Sequence, residues 1–189
     1  LVSSSFFSLS PDQQTALLDD TDALITAARG VCIGISTADC VPILLFDAAH
    51  GAIAAVHAGW RGTVARIVEK TIAELSAAFG TKPSELKAVI GPCIMQESFE
   101  VGEEVVAAFA AAGFDTRAIC RLLPSPTLPK FTSTSWLPTP RHFFPPAFLF
   151  KTSAPAASAP TPIMPASSLP AASASANVFP CSHNRITQP

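Results

Sequence analysis

Residues 41–62 read VPILLFDAAHGAIAAVHAGWRG. Pro42-Ile43-Leu44-Leu45-Phe46-Asp47 is an apolar run opened by a proline, a position at which a strand tolerates the missing N–H. Ala48-Ala49-His50-Gly51 is a short turn, and Ala52-Ile53-Ala54-Ala55-Val56-His57 is a second apolar run, so the pair predicts a β-hairpin. Working outward, Val31-Cys32-Ile33-Gly34-Ile35-Ser36 predicts a strand upstream, and Leu86 to Ile90 predicts one downstream. These runs are apolar at consecutive positions, which predicts a sheet covered on both faces. After the hairpin, a helix is predicted from Thr63 to Phe79. Val64, Ile67, Val68, Thr71, Leu75 and Phe79 keep the spacing of one helical face, and Gly80 stands where a left-handed C-cap falls. Glu103 to Ala112 predicts a second helix, closed by Gly113. Strands interleaved with covering helices make an α/β layered domain.

Composition bounds the rest. The chain has 189 residues, with 12 Lys+Arg against 14 Asp+Glu and a formal charge of −2. That size suits one domain with an appendage. The charge balance gives no footprint for nucleic acid or an anionic membrane surface. No apolar run approaches the ~20 residues of a membrane span. The 5 Cys (Cys32, Cys40, Cys93, Cys120, Cys181) are odd in number and form no CxxC pair, which points to a reducing, cytoplasmic compartment rather than a disulfide framework. Only 4 His are present, too few for a multicopper electron-transfer protein.

The composition has a seam near residue 120. The last acidic residue is Asp115 and the last of 9 Gly is Gly113, while 121–189 holds 14 of the 18 Pro. Runs such as Ser153-Ala154-Pro155-Ala156-Ala157-Ser158-Ala159-Pro160 hold neither a helix nor an inner strand. The expectation is an irregular segment over 1–18, an α/β core over 19–120, and a Pro/Ser/Ala-rich, disordered tail over 121–189, natural or the product of a shifted reading frame. Leu1 in place of Met suggests a fragment lacking its start.

Four clusters could carry chemistry. Thr37-Ala38-Asp39-Cys40 is a polar loop between apolar strands; a cysteine held there is a ligand or nucleophile, or a small packed hydrophobe. His57-Ala58-Gly59-Trp60-Arg61-Gly62 joins an imidazole at a strand end to two glycines and a helix start. There Arg61 suits phosphate, the helical N–H groups suit an anion, and Trp60 offers a stacking face for a base. The bland alternative is a Trp that plugs the core beside a solvated Arg. Gly91-Pro92-Cys93-Ile94 holds half of a zinc-deaminase signature without its second cysteine, and reads best as a strand-to-turn with a packed Cys. Asp19-Asp20-Thr21-Asp22-Ala23-Leu24 places acids before an apolar strand and reads as a solvated turn. Cys40 and His57 together suit zinc or a thiol–imidazole nucleophile pair. His50 sits in the hairpin turn, at the wrong end of its strand to join them.

TADCVPILLFD, VHAGWRGT, AVIGPCI with SFEVGEEV, and the preceding DTDALIT resemble the YfiH family over about residues 19–115. It is also known as the multicopper polyphenol oxidase (laccase) domain family. The resemblance implies a layered α/β sandwich related to the Cys–His hydrolases of the cytotoxic necrotizing toxins, incomplete here. It implies a zinc-dependent purine nucleoside phosphorylase that takes a purine nucleoside and phosphate, cleaves methylthioadenosine and deaminates adenosine. It implies Cys40 and His57 as metal ligands and catalytic residues, with Arg61 catalytic and Asp39, Gly59, Trp60, Arg61 and Gly62 at the substrate. The family's third ligand, a His upstream of DALIT, has no counterpart in Leu1–Asp22, and its C-terminal Cys-Thr and Phe-Phe-Ser motifs are absent from 121–189. Impaired activity is the expectation. The alternatives are a non-catalytic remnant and a metal-free hydrolase with Cys40 as nucleophile and His57 as base.

Overall fold

The computed structural model describes residues 1–95, 98–123, 130–133 and 175–180. Its centre is a four-stranded antiparallel sheet in the order β1-β4-β3-β5, made of β1 (Ala23–Thr26), β3 (Val41–Asp47), β4 (Ala52–Ala58) and β5 (Lys87–Ile90). The predicted hairpin is β3 with β4, in the register Val41↔Ala58 to Asp47↔Ala52. Two smaller antiparallel sheets accompany it. One pairs β2 (Val31–Ser36) with β9 (Ser175–Pro180). The other runs β6 (Glu100–Val101), β8 (Lys130–Ser133), β7 (Cys120–Leu123).

The core lies between the large sheet and a layer of helices. Alternate residues of the hairpin, Val41, Ile43 and Leu45 on β3 and Ala52, Ala54, Val56 and Ala58 on β4, are buried on one face. Against them pack Val68, Ile72 and Leu75 of α3 (Ile67–Phe79) and Val105 and Phe109 of α4 (Glu103–Ala111). Burying a side chain the size of Leu75 or Ile43 contributes about 1.5–3 kcal/mol, so this face supplies most of the cohesion.

The predicted single helix from Thr63 to Phe79 is two. A one-turn α2 (Trp60–Val64) precedes α3, and Arg66 between them adopts the left-handed conformation at φ 58°. That conformation is costly for a residue with a Cβ. Tertiary contacts hold it: the Arg66 guanidinium lies 3.8 Å from the centroid of the Phe114 ring and donates to the Ala112 carbonyl at 3.2 Å. The predicted C-cap is present, with Gly80 at φ 73°.

Three further expectations are corrected. Residues 1–18 are not irregular: a 3-10 turn covers Ser4–Ser8 and α1 covers Pro11–Leu18. Ser10 and Gln13 close a reciprocal capping box ahead of α1, with Pro11 in its first turn. Regular structure also continues past residue 120, because β7 and β8 pair there and Ser175–Pro180 adds a full strand to β2. Ala176 of that strand is buried with Val2, Phe6, Leu24 and Val31. Its Asn177 amide donates to Ser36 at 3.1 Å. The remainder of the expected tail, including Ser153–Pro160, lies outside the described residues, as does the run 181–189 with Cys181. The short α5 (Thr116–Ile119) leads into β7.

The third correction concerns the sheet's outer face. The layer of β2, β9 and the N-terminal turns covers Leu24 on β1 and stops short of β3 and β5. Leu44, Phe46 and Val89 are exposed there. Among the described residues, consecutive apolar residues thus mark a covered face over β1 and β4 and exposed side chains over β3 and β5. Among the described residues no helix is long and apolar enough to cross a membrane, and Cys40, Cys93 and Cys120 are free thiols.

Candidate functional site

Antiparallel pairing decides which residues meet. β4 ends at Ala58, just past His57, and its neighbours on either side run the opposite way, so both begin at that same end. Asp22 immediately precedes β1, where Ala23 faces Val56. Cys40 immediately precedes β3, where Pro42 faces His57. β5 runs antiparallel to β3 and ends there too, which delivers Gly91 to Cys93. The backbone ties the loops together: Gly91 N–H donates to the Pro42 carbonyl at 2.9 Å, Ile94 N–H to Asp39 at 3.0 Å, and His57 N–H to Asp22 at 2.7 Å. All four sequence clusters therefore gather at one end of one sheet.

Cys40 and His57 converge on Gly59. A Cβ placed on Gly59 would lie 3.1 Å from His57 Cε1, 3.5 Å from His57 Nε2 and 3.4 Å from Cys40 Sγ. The glycine has an ordinary extended φ of −70°, so it is needed for space and not for backbone freedom. It leaves a cradle between a sulfur and an imidazole nitrogen. The other ring nitrogen, Nδ1, is 2.8 Å from Asp22 Oδ1, a bond that binds the imidazole from behind. Asp22 was read as part of a solvated turn. The one signal that could have raised it was its place directly before an apolar strand; its partner, 35 residues away, is set by sheet register.

Burial pushes the Cys40 thiol up, and the charges of Asp39, Asp22 and Cys93 push it further. Without a cation beside it, that sulfur stays protonated near neutral pH and is a poor nucleophile. Cys93 packs against the core, as the bland reading had it, and burial raises its thiol as well.

Trp60 and Arg61 open α2. The Arg61 guanidinium lies over the Trp60 ring, 4.2 Å from its centroid, and Trp60 is itself partly buried against the core. The ring face that Arg61 covers is not open to a base in this arrangement. Arg61 is exposed, and no carboxylate pairs with it among the described residues. Gly62 stands one turn on, against Ile67. Because α2 has 5 residues, the long helix expected to aim its N–H groups at an anion is a single turn here. His50 is at the far end of the sheet, as expected, bonded to Asp47.

Zinc suits these donors in kind, since thiolate sulfur and imidazole nitrogen are its preferred ligands, and the Gly59 cradle leaves room between them. It is not matched in number. Among the described residues no group of three or more His, Cys, Asp and Glu side chains is arranged to hold a metal ion. The chain offers two corners of a tetrahedron.

A layered α/β domain with a Cys–His pair at a sheet end defines the class, and comparison with known proteins narrows it. The profile of the multi-copper polyphenol oxidoreductase laccase family matches residues 4–127, and the chain belongs to that family. Over 115 residues it is 53% identical to a purine nucleoside phosphorylase of Bacteroides thetaiotaomicron, covering 61% of this chain and 43% of that protein. Over 119 residues it is 44% identical to adenosine deaminase RL5 from an unknown prokaryotic organism, covering 63% of this chain and 45% of that one. The solved structure of YlmD from Geobacillus stearothermophilus superposes with a TM-score of 0.52 at 27% identity, covering 60% and 41% of the two chains. The chain spans less than half the length of these relatives.

Proposed function

We propose that the Cys40–His57 centre holds zinc and that the chain is a purine nucleoside phosphorylase by descent. The observation that carries this reading is the convergence of Cys40 Sγ and His57 Nε2 on the side-chain-free Gly59. The kinship with proteins named purine nucleoside phosphorylase and adenosine deaminase supplies the substrate class. When bound, zinc would supply a Lewis acid for a substrate or water oxygen. The chain's own residues do the rest. His57, braced by Asp22, presents Nε2; Cys40 presents its sulfur. Arg61 swings off the Trp60 ring to hold phosphate near the anomeric carbon, where an anion stabilises an oxocarbenium-like transition state. Trp60, freed of that guanidinium, offers its face to the purine. Asp39 directly precedes Cys40 in the loop, and its backbone carbonyl accepts the Ile94 N–H. The raised Cys40 thiol argues against the metal-free hydrolase, which needs a thiolate without a metal's help.

One observation favours a second reading, a non-catalytic remnant: only two ligands are in place among the described residues. Zinc content and activity separate the two. The chain is expected to take up zinc and to release adenine from adenosine only when phosphate is present. Cys40→Ala and His57→Ala should each weaken zinc binding by more than about 100-fold, beyond the range of a lost outer-shell partner. Zinc uptake unchanged by both substitutions would overturn the metal centre. Absence of zinc uptake together with absence of phosphorolysis would identify the remnant.

A further inference from the structure

Asp22 holds His57 at two points. Its backbone carbonyl accepts the His57 N–H at 2.7 Å, and its side-chain Oδ1 lies 2.8 Å from His57 Nδ1. The first bond continues the β1–β4 ladder past Ala23 and persists whatever side chain stands at position 22. The second acts on the ring alone. An ionised carboxylate can only accept, so the proton on that bond belongs to Nδ1. A neutral imidazole carries one N–H; placing it on Nδ1 leaves Nε2 with its lone pair, and Nε2 is the nitrogen beside the Gly59 cradle and Cys40. The imidazole is 15% exposed and its carboxylate partner 46%, so the ring is enclosed while the carboxylate braces it from the solvent side.

We propose that Asp22 is a positioning residue that keeps His57 in its Nδ1–H tautomer, with Nε2 aimed at the cleft as a metal ligand. The metal half of this inference rests on the zinc reading above; the tautomer half does not. A carboxylate behind a ligating imidazole fixes ring orientation and raises ligand basicity, and its loss weakens metal binding by about 10–100-fold.

The experiment uses the full chain with 15N-labelled histidine, free of metal, at about pH 8, where imidazole is ordinarily neutral. Long-range 1H–15N spectra report which ring nitrogen of His57 carries the proton, the resonance being assigned by its loss in His57→Gln. The expected result is Nδ1–H in the wild type and a shift towards Nε2–H in Asp22→Ala. Asp22→Asn, whose carbonyl oxygen can still accept from Nδ1, should restore much of the wild-type signature. A purely structural role for Asp22 would move none of these resonances. Zinc titration against a competing chelator should then give an affinity about 10–100-fold lower for Asp22→Ala, partly regained in Asp22→Asn. Nε2–H in the wild type, a tautomer unchanged in Asp22→Ala, or zinc bound by the wild type and by Asp22→Ala with equal affinity would each overturn the proposal. Should the wild type take up no zinc while Asp22→Ala still shifts the tautomer, the zinc reading fails and the positioning role stands.

Discussion

The two ends of the central sheet carry the same pair of groups in opposite arrangements. At one end His57 Nδ1 meets Asp22 at 2.8 Å; at the other His50 Nδ1 meets Asp47 at 2.7 Å. In the first pair the ring is 15% exposed and the carboxylate 46%; in the second the ring is 39% exposed and the carboxylate 1%. Asp47 spends its oxygens on the hairpin turn, accepting from the backbone N–H groups of Ala49 and His50 as well as from the ring. Its job is to close a turn. Asp22 has no such turn to hold, and its ring looks onto a cysteine across a glycine. A hydrogen-bonded His–Asp pair is thus not a functional sign in itself. What lies in front of Nε2 decides, and of these two rings His57 is the one that faces a thiol.

The comparison can be broken most decisively at the metal. His50→Ala should leave zinc uptake unchanged, whereas His57→Ala should lower affinity by more than about 100-fold, beyond the loss typical of an outer-shell partner. A zinc loss in His50→Ala would erase the distinction between the two ends. Stability should show the reverse ranking. Asp47→Ala removes the buried carboxylate that accepts from the Ala49 and His50 backbone N–H groups and the His50 ring, and should cost about 1–3 kcal/mol in urea unfolding. Asp22→Ala, at a partly exposed pair, should cost less than about 1 kcal/mol.

Acid sharpens the same contrast. Burial alone would raise the Asp47 carboxyl, but the His50 ring and the backbone N–H groups of His50 and Ala49 outweigh it and hold the carboxyl below its ordinary 3.8. A depressed folded value means stability that is fully present above the unfolded value and lost as pH falls through the folded one. The stability gap between the wild type and Asp47→Asn should therefore be constant at neutral pH and shrink only below about pH 4, where carboxylates begin to protonate. A gap that shrank on raising the pH would contradict this. A backbone effect of similar size is expected at Gly80, which caps α3 near His50. Its φ of 73° disfavours any side chain, and a Cβ there would meet His50 Nε2 at an ordinary 3.7 Å. Gly80→Ala should cost about 1 kcal/mol, all of it conformational, with zinc uptake untouched.

Much of the core was legible. The hairpin, β2, the Gly80 cap and the α4 helix follow from apolar runs and punctuation, because local pattern and tertiary position agree there. The capping box Ser10-Pro11-Asp12-Gln13 is a local signal of the same kind, set against a composition that suggests no helix there. The break at Arg66 was not legible: a left-handed arginine is stabilised by Phe114 and Ala112, some 46 residues on. Nor was β9, since a Pro-rich stretch gives no sign of the strand that β2 recruits at Ser175–Pro180.

The sequence by itself determined the family and the pairing of Cys40 with His57 as candidates. Those depend on residue type and short spacing. Tertiary structure alone decided that Asp22 stands behind His57, that Arg61 rests on Trp60, that Gly59 lies between His57 and Cys40, and that Leu44, Phe46 and Val89 are exposed among the described residues. Each of these depends on which strands become neighbours and in what register, and that is set by burying the hairpin's inner face under α3, not by the residues that end up touching.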